Sequence, residues 1–235
     1  MKIDFTGKKV LVTGGSKGIG KKLVEDYKSL GAEVYGTSRT GGSSQSLIQV
    51  DFDDPDSTNE FLKVVEYIGF DVLINNAGTN KIGPIESYSI EDYERIVNLN
   101  LTSCFKTTQA VIPYMKKKGW GRIVNITSIS SEISMPLRSA YCSSKFGLVG
   151  LTKVSAVELA KYGILVNSVG PGVTETKLTV DVLGRTKMDE IASNVPIGRL
   201  ATVEDISRTV MYVSSELNTY MVGQNILLDG GYTCV

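Results

Sequence analysis

T-G-G-S-K-G-I-G, residues 13–20, follows K-V-L-V and leads into K-K-L-V-E-D-Y-K-S-L. A short apolar run enters the glycines and an amphipathic stretch leaves them, so they sit where a buried strand turns into a helix. The spacing is Gly14-xxx-Gly18-x-Gly20, wider than GxGxxG. Glycines at such a junction let backbone N–H groups approach a pyrophosphate at the positive end of a helix. Alone, the pattern suits any tight strand-to-helix turn. The flanks narrow it. Ile19, Leu23, Val24, Tyr27 and Leu30 repeat at helical spacing, Gly31 stops the helix, and a second strand, Glu33–Ser38, ends about twenty residues on. Strand, glycine turn, helix and strand in that order form a dinucleotide-binding arrangement.

The pattern continues outward. Residues 9–13, 33–38, 47–51, 71–78, 121–128, 164–172 and 225–231 read as strands, with long helices at 91–115 and 139–161. This alternation predicts an α/β fold: a doubly wound parallel sheet with helices on both faces, in one domain spanning 1–235. One link is short. Only eleven residues, Thr40–Val50, including Gly41, Gly42, Ser43 and Ser44, join Arg39 to Asp51. A parallel crossover normally needs a dozen or more, so the helix there is expected to shrink to a turn, leaving a thin, mobile sheet edge.

Composition removes several classes of function. Lys+Arg and Asp+Glu balance at 25 each, for a net charge of zero, which gives no electrostatic reason to bind nucleic acid or an anionic membrane. The start, MKIDFTGKKV, lacks a leader-like apolar stretch, and no apolar run reaches the ~18 residues of a membrane span. Cys104, Cys142 and Cys234 are far apart and histidine is absent, so no metal site is expected. A cytoplasmic protein with reduced thiols fits this usage. Cys142 reads as packing, and Lys116–Lys118 as a solvated helix end.

The missing histidine poses a chemical question, since histidine is the usual proton carrier near neutrality. Y-C-S-S-K, residues 141–145, offers an answer. A phenol titrates ordinarily at ~10, but Tyr141 and Lys145 are four apart on a predicted helix and face the same way. An ammonium beside a phenol favours the phenolate.

TGGSKGIG (13–20), NNAG (75–78), the asparagine closing NLN (98–100), Ser128, YCSSK (141–145), PG (171–172) and LDGG (228–231) occur in this order over nearly the whole chain. Together they resemble the classical short-chain dehydrogenase/reductase family, of the 3-oxoacyl-carrier-protein reductase or sugar dehydrogenase type. The resemblance implies a Rossmann-type sheet and hydride transfer between a nicotinamide and a carbonyl or alcohol carbon. It assigns catalysis to Asn100, Ser128, Tyr141 and Lys145. Tyr141 would exchange the proton with the substrate oxygen, Ser128 would hold that oxygen, Lys145 would also bind the nicotinamide ribose, and Asn100 would position a water. Cofactor contacts would come from Gly14, Ser16, Lys17, Gly18, Ile19 and Gly20, then from Ser38, Arg39, Asp51 and Phe52. Asn76, Ala77 and Gly78, Pro171 and Gly172, and Thr174 and Thr176 would complete them, beside Tyr141 and Lys145. Asn75 would either lie near the cofactor or knit the sheet.

Cofactor choice follows from the end of the second strand. An acidic residue there binds the ribose hydroxyls of NAD; here it is Ser38, followed by Arg39, with Lys17 in the glycine turn. Two cations and no carboxylate suit the 2′-phosphate of NADP(H), with NAD as the alternative. The resemblance also implies a homotetramer, or a homodimer, through 91–115, 139–161 and 225–231. The substrate, a small carbonyl or alcohol, would meet Ile129–Arg138 and a loop at 174–198, whose mixed polarity leans toward a polar molecule. Two further readings are a 3-oxoacyl-carrier-protein reductase, against a sugar, polyol or small-ketone dehydrogenase, and a non-catalytic dinucleotide-binding regulator. The intact Tyr141 and Lys145 weigh against the regulator.

Overall fold

Strand β1 (Lys9–Val12) fixes the layering. Side chains alternate across a strand. Val10 and Val12 accordingly enter one apolar cluster and Leu11 enters another, on the opposite face. Strand β4 (Val72–Asn75) repeats this, with Val72 and Ile74 on the first side and Leu73 on the second. A strand buried on both faces needs helices on both.

The computed structural model describes residues 2–40 and 47–235. Its sheet has the order β3-β2-β1-β4-β5-β6-β7, every neighbouring pair parallel. The remaining strands are β2 (Glu33–Ser38), β3 (Leu47–Gln49), β5 (Gly121–Ile126), β6 (Ile164–Pro171) and β7 (Asn225–Leu228). One face is covered by α1 (Gly18–Ser29) and α7 (Val203–Ser214) through Leu23, Tyr27, Ile206 and Val210. The other is covered by α2 (Pro55–Ile68), α4 (Ser103–Lys118) and α5 (Ser139–Leu159) through Phe61, Val65, Val111, Met115 and Leu159. The chain winds one way from β1 to β3 and the other way from β4 onward. This places a crevice outside the carboxyl ends of β1 and β4, where such sheets bind ligands.

Several elements differ from the expectation. Helix α2 was not anticipated, although Asp54 caps it by accepting from Asp56 N and Pro55 opens it, a regular helix-start signal. Helix α7 was likewise unanticipated; a Thr202–Asp205 capping box starts it. The expected helix 91–115 is two helices, α3 (Ile90–Val97) and α4, joined by a π-helical turn at Asn98–Thr102. The expected loop 174–198 is largely α6 (Lys177–Ser193), started by Thr176 and kinked at Gly184, φ 72°. Strand β3 does pair with β2, Gly36 opposite Leu47, while the expected turn through Gly41–Ser44 lies outside the described residues. Among the described residues no helix is long and apolar enough to cross a membrane, and no three acidic or cysteine side chains gather as metal ligands.

Lys116–Lys118 is not a plain solvated end. Lys116 lies 4.2 Å from the centroid of the Tyr162 ring. Lys118 Nζ reaches Asp71 Oδ1 at 2.6 Å, and Asp71 Oδ2 accepts from Lys9 N at 2.8 Å. Asp71 is 1% exposed, so it joins the starts of β1 and β4 to the end of α4 from a dry site. Hydrogen bonds to a charged group contribute ~1.5–3 kcal/mol. Asp71→Ala is therefore expected to lower unfolding free energy by about 2–3 kcal/mol, read as a lower urea midpoint at unchanged slope.

Candidate active site

The crevice is framed first by backbone. Gly14 has φ 68° and donates its N–H to Thr37 Oγ1 at 2.9 Å. A Cβ on Gly20 would lie 2.2 Å from Gly14 O, and one on Gly15 would lie 2.9 Å from Gly36 Cα. Only hydrogen fits at these positions. Thr13 Oγ1 accepts from Asn76 N at 2.9 Å and Ala77 N at 3.0 Å, while Asn76 Nδ2 donates to Thr13 O at 2.9 Å and Gly14 O at 3.2 Å. The segment leaving β4 is thus tied to the glycine turn. Sequence reasoning gave Thr13 and Thr37 no role of their own; the available signal was a hydroxyl at the end of a strand.

The other residues expected around a dinucleotide divide by position. Ser16 is half-buried, Lys17 is exposed, Gly18 has φ 50°, and Ile19 packs on the core. A Cβ on Gly18 would meet the Thr176 methyl at 3.5 Å, so Thr176 comes over the glycine turn from the far end of the chain. Ser38 is buried and Arg39 exposed; neither Lys17 nor Arg39 pairs with a carboxylate among the described residues. Asp51 is half-buried and accepts from Asp53 N at 3.0 Å. Phe52 packs edge-on against Phe61, and its carbonyl accepts from Asn98. Gly172 N donates to Leu228 O at 2.8 Å, which holds the Pro171–Gly172 corner on β7. Thr174 is buried and its hydroxyl donates to Gly172 O. Asn75 knits the sheet: its Nδ2 donates to Asn125 Oδ1 at 2.8 Å and Thr108 Oγ1 at 3.2 Å.

The four residues expected to act chemically come from separate elements. Ser128 follows β5 and opens a short turn; its Oγ accepts from Ser130 N at 3.1 Å. Among the described residues no acceptor takes its hydroxyl proton, nor that of the half-buried Tyr141. Lys145, 5% exposed, donates to Ile126 O at 2.8 Å and lies 5.6 Å from the centroid of the Tyr141 ring. An ammonium has three donors, so two remain. Asn100 donates to Thr79 O at 2.9 Å and Ser144 Oγ at 3.1 Å, and its Oδ1 accepts from Thr79 N at 2.9 Å. A Cβ at Gly78 would lie 3.1 Å from Asn100 Oδ1 and 3.7 Å from Lys145 Nζ, so these three residues converge. Ser144, unassigned in the sequence, also donates to Tyr141 O at 2.7 Å. The structure therefore joins Asn100 to the Tyr141–Lys145 turn through Ser144.

In the stretch expected to meet the substrate, Leu137 has φ 64°, the one positive value among described non-glycine residues, and its carbonyl accepts from Gly83 N at 3.0 Å. A cavity of about 350 Å³ lies beside Ile129, Val173, Ile197 and Tyr232, and one of about 400 Å³ beside Ile133, Asn194 and Tyr232. A glycine cradle closed to any side chain, with free donors on Ser128, Tyr141 and Lys145 beyond it, fits a dinucleotide and an oxygen-bearing substrate.

Comparison with known proteins agrees. A family described as Enoyl-(Acyl carrier protein) reductase matches residues 14–233. The 3-oxoacyl-acyl-carrier-protein reductase FabG of Chlamydia pneumoniae is 35% identical, over 99% of this chain and 100% of its own length. The chain belongs to the classical short-chain dehydrogenase/reductase family. It is an NAD(P)-dependent oxidoreductase of that family. The D-beta-hydroxybutyrate dehydrogenase of Rhizobium meliloti is 32% identical, over 96% of this chain and 98% of its own. Among solved structures of the family, a putative NAD(P)-dependent gluconate 5-dehydrogenase from Beutenbergia cavernae, with bound NADP, superposes with a TM-score of 0.93. It is 29% identical and covers 99% of both chains.

The glycine turn gives a direct test. Gly20→Ala forces a methyl group onto Gly14 O, and overpacking of this kind costs ~1–3 kcal/mol. NADPH binding, followed by fluorescence titration, should weaken by about tenfold or more. An unchanged affinity would remove the turn from the cofactor site.

Proposed function

We propose that this chain interconverts a carbonyl and a secondary alcohol with NADP(H), as one catalytic domain using Asn100, Ser128, Tyr141 and Lys145. The observation that carries this reading is the buried Lys145 ammonium, 5.6 Å from the Tyr141 ring centroid, with one donor on Ile126 O and two left over. Bound NADP(H) supplies or accepts the hydride. Tyr141 gives its phenolic proton to the oxygen of the forming alcohol and recovers it in the reverse direction. Lys145 stabilises the resulting phenolate electrostatically, and its remaining donors serve the nicotinamide ribose and a water. Ser128, with a free hydroxyl proton, holds the substrate oxygen. The Asn100 amide donors are already engaged, so the second lone pair of its Oδ1 is the acceptor offered to that water.

Substrate class has support on two sides. FabG of Chlamydia pneumoniae favours a 3-oxoacyl-carrier-protein reductase. The hydroxybutyrate and gluconate dehydrogenases favour a small hydroxy acid, in line with the mixed polarity of Ile129–Arg138. We take the small polar carbonyl as the first reading and the acyl-carrier substrate as the second. For assembly, Phe105 on α4 and Phe146, Val154 and Val157 on α5 are exposed apolar side chains, and β7 is a sheet edge. They support a homotetramer through these elements, with a homodimer as the smaller alternative; the cysteine usage is the ground for placing it in the cytoplasm.

Tyr141→Phe removes only a hydroxyl and makes no change in the glycine turn. It should lower kcat by ~100-fold or more while NADPH affinity changes little. Retention of more than about a tenth of the activity would contradict Tyr141 as the proton carrier.

NADP(H) is favoured because the end of β2 carries no carboxylate, Arg39 follows it exposed, and the glycine turn carries the exposed Lys17. A charge-assisted contact contributes ~1.5–3 kcal/mol, so kcat/KM should favour NADPH over NADH by ~10–100-fold. Ser38→Asp with Arg39→Ala should erase or invert that ratio. Equal efficiency with both cofactors in the wild type would overturn the choice and leave the proton chemistry standing.

A further inference from the structure

Ser144 stands between Tyr141 and Lys145 on α5 and is fully buried, yet the carbonyl–alcohol reading leaves it without a task. Its hydroxyl makes two bonds. As a donor it reaches Tyr141 O, three residues back, at 2.7 Å. As an acceptor it takes a hydrogen of Asn100 Nδ2 at 3.1 Å. The first bond is one that helical serines commonly make. The second is not local, since Asn100 lies 44 residues away, in the π-helical turn that precedes α4.

The two bonds are linked through one proton. A hydroxyl has a single hydrogen. With that hydrogen on Tyr141 O, Ser144 Oγ turns only lone pairs toward Asn100, so the amide must present its nitrogen there. The Thr79 peptide imposes the same sense: its carbonyl accepts from Nδ2 at 2.9 Å and its N–H donates to Oδ1 at 2.9 Å. A reversed amide would set donor against donor at Thr79 N and acceptor against acceptor at Thr79 O. Both Nδ2 hydrogens are used in this way, and Oδ1 is left on the side of Gly78.

That side is where the ammonium lies. A Cβ built on Gly78 would stand 3.1 Å from Asn100 Oδ1 and 3.7 Å from Lys145 Nζ. Gly78 has no positive φ to account for it. Its missing side chain instead leaves open a point that the amide oxygen and the ammonium both flank. The Thr79 contacts are made by backbone. Among the described residues, Ser144 is the one side chain that bonds the Asn100 amide.

We infer that Ser144 is a positioning residue for the proton step: it holds the Asn100 amide with Oδ1 toward the Lys145 ammonium. This rests on the carbonyl–alcohol reading above and adds a residue to it. The proton that Tyr141 gives to the substrate oxygen is recovered from solvent by way of the water that Asn100 Oδ1 and Lys145 hold. Ser144 gives up no proton, because its hydrogen stays on Tyr141 O. Without this hydroxyl one Nδ2 hydrogen is buried with no acceptor, which is unfavourable, and the amide shifts to find one. Small misplacements of a positioned group slow reactions strongly. Lys145 keeps its own bond to Ile126 O, so cofactor binding is spared.

The test is steady-state oxidation of NADPH by the full chain with acetoacetate, 5-ketogluconate and S-acetoacetyl pantetheine. On the probe that the wild type reduces fastest, Ser144→Ala should lower kcat by about tenfold. NADPH affinity, from fluorescence titration, should stay within about twofold. Ser144→Thr keeps a hydroxyl that bonds the same carbonyl and should recover at least about a third of the wild-type kcat. Asn100→Ala should also lower kcat, and adding Ser144→Ala to it should cost less than about twofold more, because the two side chains act as one unit. Far-UV dichroism of each variant checks the fold; should Asn100→Ala not fold, the Ala and Thr variants at 144 decide. An unchanged kcat in Ser144→Ala, an equal loss of NADPH affinity, or independent losses in the double variant would each overturn the role. Wild-type turnover that Ser144→Ala leaves intact rejects the Ser144 role alone. Wild-type failure to oxidise NADPH with all three probes rejects the carbonyl–alcohol reading, and the Ser144 role with it.

Discussion

The Asn100 amide donates to Thr79 O and Ser144 Oγ and accepts from Thr79 N, all within 3.1 Å and fully buried. Thr79 follows Gly78 on the segment leaving β4, and Ser144 lies between Tyr141 and Lys145 on α5. One side chain thus connects the glycine-lined half of the crevice to the half that carries Tyr141 and Lys145. Buried polar groups must find partners, and here the partners lie on two different elements. The helix carrying Asn100 adapts: its ladder widens to a π-helical turn at Asn98–Thr102 before resuming as α4. Such turns occur mostly at functional positions. The bend is the structural counterpart of satisfying that amide.

Helix α5 is fixed in rotation by a second row of contacts. Lys145, Leu148 and Thr152 recur at helical spacing on one face. Lys145 donates to Ile126 O on β5, and Thr152 Oγ1 accepts from Asn125 Nδ2 on the same strand at 2.9 Å. Asn125 in turn receives Asn75 from β4. The central strands therefore help set where the ammonium sits, about two turns along the helix. A connected buried network of this kind specifies one arrangement more sharply than apolar packing can.

Much of this was legible in the chain because it depends on local order. Each strand of the sheet lay within a stretch read as β, since a strand buried on both faces needs an apolar run that few other elements tolerate. The residues of the candidate site could be placed because each stands at a strand end or in one helical turn. What escaped has physical reasons. In α2 the start D-D-P-D-S-T looks like a turn, and only the cap geometry of Asp54 with Pro55 distinguishes it. In α6 a glycine in the left-handed region interrupts the apolar period, so 174–198 read as a loop. The split at Asn98–Thr102 depends on Thr79 and Ser144, distant in sequence. The same holds for Lys118, whose partner Asp71 is 47 residues away, and for the tie between Thr13 and the segment after β4.

The two sides of the crevice are built by different means. On the side of the glycine turn, backbone meets backbone where Gly15 lies on Gly36 and Gly20 on Gly14, and the Asn76 and Ala77 N–H groups meet the Thr13 hydroxyl. Nothing there can change size without moving a strand. On the other side, the rim consists of an exposed, positive-φ leucine, a kinked helix and the residues around Tyr232. Ile133, beside one of the cavities there, makes no side-chain contact with the glycine turn, the Asn100 bridge or the Lys145 bond. The fold can therefore hold the glycine turn and the Tyr141–Lys145 turn fixed while the rim varies, because separate parts of the chain build them.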